Sequence, residues 1–180
     1  MYHQGVLSRG PRLVNWSPGL RTAVSDLEVE REDEAGKLYF FNYPLEGGGV
    51  IPVSTTRPET MLGDTAVAVN PKDERYAAMV GKLIDHPLTG RQIPVIADDW
   101  ADPELGSGAV KITPAHDFND WQVYERNKAI GWINILDAEA NIVEADGVPA
   151  KYVGMTREAA RTAVVADLDA LGLIVQVEAK

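Results

Sequence analysis

The stretch Thr55-Thr56-Arg57-Pro58-Glu59-Thr60-Met61-Leu62-Gly63-Asp64-Thr65-Ala66-Val67-Ala68-Val69-Asn70-Pro71 decides the fold class. It opens at the end of Val50-Ile51-Pro52-Val53-Ser54-Thr55, a run rich in β-formers, and Pro58 ends that strand because proline has no backbone N–H to give to a ladder. Thr65 to Val69 is a second short strand, closed by Asn70-Pro71. Upstream, Leu38-Tyr39-Phe40-Phe41-Asn42-Tyr43 and the Gly47-Gly48-Gly49 tip complete a hairpin with residues 50–55. Downstream, Lys82-Leu83-Ile84 and Arg91 to Ile96 flank the turn Pro87-Leu88-Thr89-Gly90. Ala109 to Thr113 is a strand stopped by Pro114, and Trp132 to Leu136, Ile142-Val143 and Leu173 to Val177 read as further strands. Near the N-terminus, Leu13 to Trp16 and the alternating Leu27-Glu28-Val29-Glu30 do so as well, with Glu32 to Gly36 a polar turn.

Helical signals are fewer. Asp73 to Val80 predicts a short helix and Phe118 to Lys128 another. The clearest begins at the N-cap Thr156, carries Glu158 in its first turn and ends at Gly172. Its apolar stripe is Ala160, Ala163, Val164, Leu168 and Leu171. Regular strand–helix alternation is missing, which argues against a doubly wound sheet. The expected fold is mixed α/β: a β-barrel-like core of short strands decorated by a few helices.

The chain has 180 residues, 45% of them apolar, enough for one domain with a sizeable core. It has no cysteine, which excludes disulfides and thiolate chemistry and fits a cytoplasmic location. No apolar run approaches the roughly 20 residues of a membrane helix, and Met1-Tyr2-His3-Gln4 leads into a polar stretch unlike a signal peptide. The net charge of −10 argues against tight non-specific binding along a nucleic-acid backbone, though not against contact with a strand end. Arg9, Arg12 and Arg21 form a basic leader ahead of the first acidic residue, Asp26. It can meet phosphates or simply be a solvated ribbon.

Two constellations carry chemistry. In Ser54-Thr55-Thr56-Arg57-Pro58-Glu59-Thr60 several hydroxyls collect where a strand turns outward, and such a rim can orient a water, an ester carbonyl or a ribose. Arg57 adds a fork of donors suited to phosphate. The alternative is a β-prone threonine run whose hydroxyls satisfy local backbone. In Lys111-Ile112-Thr113-Pro114-Ala115-His116-Asp117-Phe118-Asn119-Asp120, Lys111 and Thr113 share a strand face by the period of two. Asp117 and Asp120 lie three apart at a helix entry. An ammonium, a hydroxyl and two carboxylates would converge there; alternatively, Asp117 caps the helix and Lys111 makes a surface pair. With only His3, His86 and His116 in the chain, and neither His3 nor His86 in a ligand motif, no metal site is expected. There is no Gly-x-Gly-x-x-Gly, phosphate loop or Gly-x-Ser-x-Gly elbow.

TTRPETMLGDTAVAVNP (55–71) and GAVKITPAHDFND (108–120) resemble the two defining segments of the editing domains of class I aminoacyl-tRNA synthetases. Lys111 with Thr113 points to the valyl branch, and Arg57-Pro58-Glu59 departs from the isoleucyl branch, which carries tryptophan after the threonine run. LVNWSP (13–18) and SDLEVE (25–30) are similar to the ribbon that joins such a domain to a catalytic core. The resemblance implies a ribbon over residues 1–30, an editing unit over 31–180, and a monomer. It also implies metal-free and cofactor-free hydrolysis of mischarged threonyl-tRNA(Val). The partners would be the 3′ aminoacyl end of tRNA(Val) and the rest of a synthetase chain. The His-Ile-Gly-His and Lys-Met-Ser-Lys-Ser signatures of an aminoacylation site are absent from the sequence.

By the same resemblance, Asp120 would anchor the α-amino group. Lys111, Thr113 and Asp117 would line the side-chain pocket, with His116 beside them. Thr55, Thr56, Arg57 and Thr60 would hold the terminal adenosine and its ester. Leu105 stands where relatives carry an aromatic, so stacking on the adenine would be weaker there.

Overall fold

The computed structural model describes residues 10–30 and 35–179. Its elements run β1 (Asn15–Ser17), β2 (Thr22–Val24), β3 (Lys37–Pro44), β4 (Val50–Thr55), β5 (Ala66–Val69), β6 (Leu83–Asp85), β7 (Gln92–Ala97), β8 (Ala109–Ile112), α1 (Phe118–Arg126), α2 (Arg157–Ala170) and β9 (Ile174–Ala179). They form a β1–β2 ribbon, a sheet in the order β4-β3-β9 and a sheet in the order β6-β7-β5-β8. An isolated bridge between Leu45 and Ile84 joins the end of β3 to β6. On the other side β4 lies beside β8 without a ladder between them among the described residues. The ring β3-β4-β8-β5-β7-β6 is therefore barrel-like but not a hydrogen-bonded, closed barrel, in keeping with the mixed α/β expectation.

Register assigns the faces. Val67 of β5 sits opposite Lys111 of β8 and, in parallel pairing, opposite Val95 of β7. Paired residues project to the same side of a sheet, and Val67 and Val95 belong to the main core with Phe41, Tyr43, Ile51, Val53 and Met61. Lys111 therefore points toward the interior of the ring. The alternate residues Ala66, Ala68 and Ile112 form a second, smaller core under Val123 of α1.

α2 starts and stops as its sequence dictates. The Thr156 hydroxyl accepts the Ala159 N–H, while Gly172, at φ +67°, lets its own N–H reach Asp169 O and the Leu173 N–H reach Leu168 O. The buried stripe is Ala160, Val164 and Leu168; Leu171 is exposed.

Some elements differ from expectation. Leu27 to Glu30 is no strand: Ser25 and Glu28 form a capping box that winds Asp26–Glu28 into a 3-10 turn and leaves Leu27 98% exposed. The ribbon strands are instead β1, two residues later than read, and β2. Asp73 to Val80 folds as turns with a 3-10 segment, Ala77–Met79. Trp132 to Leu136 and Ile142-Val143 are extended but share only the Leu136–Ile142 bridge, with the Val143 N–H on Ile135 O; the N–H groups of Ile135 and Leu136 go to the side chains of His116 and Asn134. Residues 1–9, with His3 and Arg9, and residues 31–34 of the expected polar turn lie outside the described residues. Among the described residues no helix is long and apolar enough to cross a membrane.

Candidate functional site

The two constellations meet. Between β4 and β5 the chain winds through a buried 3-10 segment, Pro58–Gly63, that delivers Thr60 and then Asp64 against the end of β8. The Lys111 ammonium, 7% exposed, donates to Thr60 Oγ1 at 2.8 Å, Thr113 Oγ1 at 2.6 Å and Asp64 Oδ1 at 3.0 Å. The Thr113 hydroxyl donates to the same Asp64 oxygen. Lys111 and Thr113 do share a face, as the strand period requires. Lys111 is not a surface pair but part of a buried polar knot with all three donors engaged.

Asp64, fully buried, is the hub of that knot. Its other oxygen, Oδ2, accepts from Tyr43 OH at 2.5 Å. Behind Tyr43, His86 Nε2 donates to Met61 O at 2.9 Å, and Nδ1 accepts the N–H groups of Leu88 and Thr89. Burial pushes the His86 imidazole down to about 4, so it stays neutral in that tautomer at pH 7. Arg91 holds Leu62 O at 2.8 Å and Asp64 O at 3.1 Å, fixing the turn that carries the hub. Gly63 is needed for close approach: a Cβ there would stand 3.1 Å from Ile133 O. Asp64, Tyr43 and Arg91 were not singled out in the sequence, and His86 was weighed there only as a metal ligand. The signal was a lone acid in the apolar run 61–69, matched by a lone lysine in Ala109-Val110-Lys111-Ile112, because a charge in a buried strand demands a partner.

Asp120 and Asp117 separate in role. Asp117 is the N-cap of α1, and its Oδ1 accepts from the N–H groups of Asn119 and Asp120 at 2.8 and 3.2 Å. Asp120 lies one turn in and is 7% exposed; its Oδ2 accepts the Thr113 N–H at 2.8 Å. Its Oδ1 has no partner among the described residues, yet it is not a solvent-sealed atom. Burial pushes the Asp120 carboxyl up to about 7. The Lys111 ammonium and the Thr113 N–H pull it back, and the Asp117 and Asp64 carboxylates push it further up.

The threonine rim has mixed fates. The Thr55 hydroxyl accepts the Arg57 N–H at 3.0 Å, and the Thr60 hydroxyl donates to Arg57 O at 2.8 Å, so both brace the loop. Thr56 is half-buried beside them. Arg57 Nη1 donates to His116 O at 2.9 Å and thereby ties the two motifs together. Glu59 turns inward and takes a bidentate Arg161 from α2 at 2.8 and 2.9 Å. His116 Nε2 accepts the Ile135 N–H at 3.0 Å, and burial, with Arg57 and Lys111, lowers its imidazole to about 4. A neutral His116 accepting at Nε2 carries its proton on Nδ1.

A cleft of about 630 Å³ opens at Arg57, His116 and Asp117; Lys111, Thr113 and Asp120 do not line it. One wall is the ribbon with Arg12 and Trp16; the other holds Arg57, His116, Asp117 and Trp121. Trp16 Nε1 donates to Ala138 O at 2.8 Å and Arg21 pairs with Glu139, so the ribbon is pinned to the 137–140 turn. Arg21 of the basic leader is thus a local pair and Arg12 a cleft residue. Leu105 stands apart from the cleft, 73% exposed, on a turn that closes on the Ser54 side chain next to Thr55.

Comparison with known proteins places this geometry. The profile of tRNA synthetases class I (I, L, M and V) matches residues 1–170. The valine--tRNA ligase of Rhizorhabdus wittichii is 57% identical over 99% of the chain, and that of Zymomonas mobilis is 53% identical over 99%. The chain spans only 20% and 21% of the length of those two relatives. Among solved structures, GlLeuRS-CP1 matches with a TM-score of 0.58 at 14% identity, covering 80% of this chain and 99% of that one. LeuRS from Agrobacterium radiobacter K84, in a ternary complex with tRNA and LeuAMS, matches with a TM-score of 0.60 at 18% identity, covering 81% of this chain and 20% of that one. At those identities the likeness is one of fold. The chain belongs to the tRNA synthetases class I (I, L, M and V), is similar throughout to about one fifth of the valine--tRNA ligases, and has the fold of a LeuRS CP1.

Proposed function

We propose that the chain is an aminoacyl-tRNA deacylase that hydrolyses the ester of threonyl-tRNA(Val), acting within a valine--tRNA ligase. The carrying observation is Asp120: a carboxylate held by one oxygen on Thr113 N–H, with no partner for the other oxygen among the described residues, beside the Lys111–Thr113 knot. A fixed, half-satisfied carboxylate suits the α-ammonium of an aminoacyl ester, which would also favour its ionised form. Lys111, Thr113 and Asp117 are the polar surroundings of the amino-acid side chain. Arg57, Thr55, Thr56 and Thr60 face the terminal adenosine, with His116 presenting an Nδ1–H and Leu105 at the outer edge. The cleft between the ribbon and α1 takes the preceding nucleotides. Its tryptophans can stack on bases and Arg12 and Arg57 can meet phosphates, which suits a strand end on a chain of net charge −10.

Threonine and valine are nearly isosteric, and an apolar synthetic pocket rejects the added hydroxyl by only about a hundredfold. A second site that pairs the hydroxyl reverses the preference, because the valine methyl would leave its polar groups buried and unpaired. In the reaction, water adds to the ester carbonyl carbon and the bond to the ribose oxygen breaks. A proton from the water passes to that oxygen, leaving threonine and a free ribose hydroxyl. The free neighbouring ribose hydroxyl of the substrate orients the water, since both histidines are weak bases and the nearest lysine is fully engaged.

The test is addition of the folded chain to preformed threonyl-tRNA(Val) and valyl-tRNA(Val). Faster release of threonine is expected, and equal release from both would refute the selectivity. Binding of threonyl-tRNA(Val) without turnover would instead make the chain an aminoacyl-end binding module.

A further inference from the structure

The β1–β2 ribbon has a ladder of only three residue pairs, Asn15 with Val24, Trp16 with Ala23 and Ser17 with Thr22. A two-stranded ribbon that short is not stable alone in water, so its position depends on what it touches. Two side chains tie it to the body. Trp16 Nε1 donates to Ala138 O at 2.8 Å, 122 residues away, and Arg21 pairs with Glu139. The receiving turn is built for this. Asp137 Oδ1 accepts the N–H groups of Glu139 and Asn141 at 2.9 and 2.8 Å, and the Asp137 N–H donates to Asn141 O at 3.0 Å. Ala140 takes φ +62°, a left-handed conformation that costs a non-glycine residue energy. These features close the turn on itself and present the Ala138 carbonyl to the ribbon.

With its N–H engaged, Trp16 remains 44% exposed and lines the cleft, as do Phe118, Trp121 and Trp132. The cleft also has a usable positive charge. Its acids, Asp117 and Asp137, turn their carboxylates to backbone N–H groups. Arg12, by contrast, is exposed and makes no ion pair among the described residues. Aromatic faces beside an unpaired guanidinium, on a chain of net charge −10, fit a single nucleic-acid strand. In a duplex the base faces are stacked and out of reach. We propose that the latched ribbon is the closing wall of a single-stranded RNA site: Trp16 is a base platform, Arg12 a phosphate contact, and the Trp16–Ala138 bond the latch that holds both in place. This rests on the aminoacyl-tRNA reading above and names the residues that hold the strand. The ribbon is then a working part of the site and not only a tether, since without the latch the cleft keeps one wall.

The experiment measures by calorimetry the Kd of a short uncharged single-stranded RNA ending in CCA, over a series of salt concentrations. The chains are the native one, Trp16→Phe, Trp16→Ala, Arg12→Ala and the control Leu27→Ala, a ribbon residue outside the cleft. Trp16→Phe keeps an aromatic ring and loses only the latch, so Kd should rise about threefold, the size of one hydrogen bond. Trp16→Ala loses latch and platform, and Kd should rise about tenfold or more. Arg12→Ala should flatten the slope of log K against log salt by about 0.7, a change that a purely structural role would not produce. Leu27→Ala keeps the native Kd and slope. A folded Trp16→Phe or Trp16→Ala chain with native affinity overturns the proposal, as does a native chain that binds the RNA no better than a duplex of the same length. If the Trp16 variants do not fold, Arg12→Ala decides: a flatter slope supports the proposal and a native slope overturns it. Hydrolysis is read apart, on threonyl-tRNA(Val). Strand binding without deacylation removes the hydrolytic reading and leaves the latched wall standing, whereas deacylation without strand binding does the reverse.

Discussion

At the residue scale, Asp120 combines its proposed role toward the α-ammonium with an energetic penalty. Burial holds its carboxyl at about 7, above the usual 3.8, so the folded chain keeps a proton that the unfolded chain has lost. Its contribution is therefore favourable at low pH and is lost as pH rises through about 7, by roughly 1.4 kcal/mol per unit of pH in that window. Asp120→Asn keeps an acceptor for the Thr113 N–H and removes the charge. Denaturant melts should show the variant gaining on the order of 1–3 kcal/mol over the native chain at pH 8 and much less near pH 4, with deacylation abolished. A variant that is active, or equally displaced at both pH values, contradicts the assignment. His86 and His116 act in the opposite sense. Both are held neutral at about 4 against 6.5 when unfolded, so their contribution is present above 6.5 and is lost as pH falls toward 4. In the overlap two histidines oppose one carboxylate, and net stability from these three groups falls on acidification.

At the element scale, α2 is more than packing. Its apolar stripe is narrow, and its firmest tie to the site is Arg161, which meets Glu59 bidentately inside the 3-10 segment that also delivers Thr60 and Asp64. Arg161→Ala strands the Glu59 carboxylate, which is buried and, among the described residues, otherwise faces only Arg57 Nε at 3.8 Å. A loss of about 1–3 kcal/mol in urea unfolding is expected, together with slower deacylation, because the loop that positions the knot loosens. Unchanged stability would mean that α2 does not brace the site. The segment 132–136 makes a related point. It reads as a strand from its residues, but at its centre Ile135 N–H goes to His116 Nε2 rather than to a neighbouring strand. The extended backbone serves to lock the histidine.

At the scale of the molecule, the ribbon, α1 and the 132–140 segment enclose the cleft, while the barrel-like ring encloses the charge network. Trp121, next to Asp120 in sequence, lines the cleft and stacks obliquely on Trp132 with ring centroids 6.3 Å apart. Trp121→Ala should weaken binding of a CCA-ended oligonucleotide by about 1–3 kcal/mol, read by fluorescence titration or calorimetry. The folding midpoint should move less than it does in Arg161→Ala. A folded Trp121→Ala chain with unchanged binding would place the nucleotides elsewhere.

Periodicity alone identified most strands, the α2 helix with both its caps, and the mixed α/β class, because those features depend on neighbours in sequence. Spacing alone put Lys111 and Thr113 on one face. Local chemistry misled where a short-range bond competed with a ladder: at Leu27, Ser25 and Glu28 close a turn that an alternating pattern cannot reveal. The threonine-rich run was legible as a rim or as hydroxyls that satisfy local backbone, and Thr55 and Thr60 do the latter at Arg57; the further bond from Lys111 to Thr60 was not legible. What only the tertiary structure decided is which charges meet. Asp64 and Lys111 are 47 residues apart in sequence and 3.0 Å apart in space. Sequence order carries no information about that distance; the pairing of β5 with β8 creates it, and burial makes it obligatory.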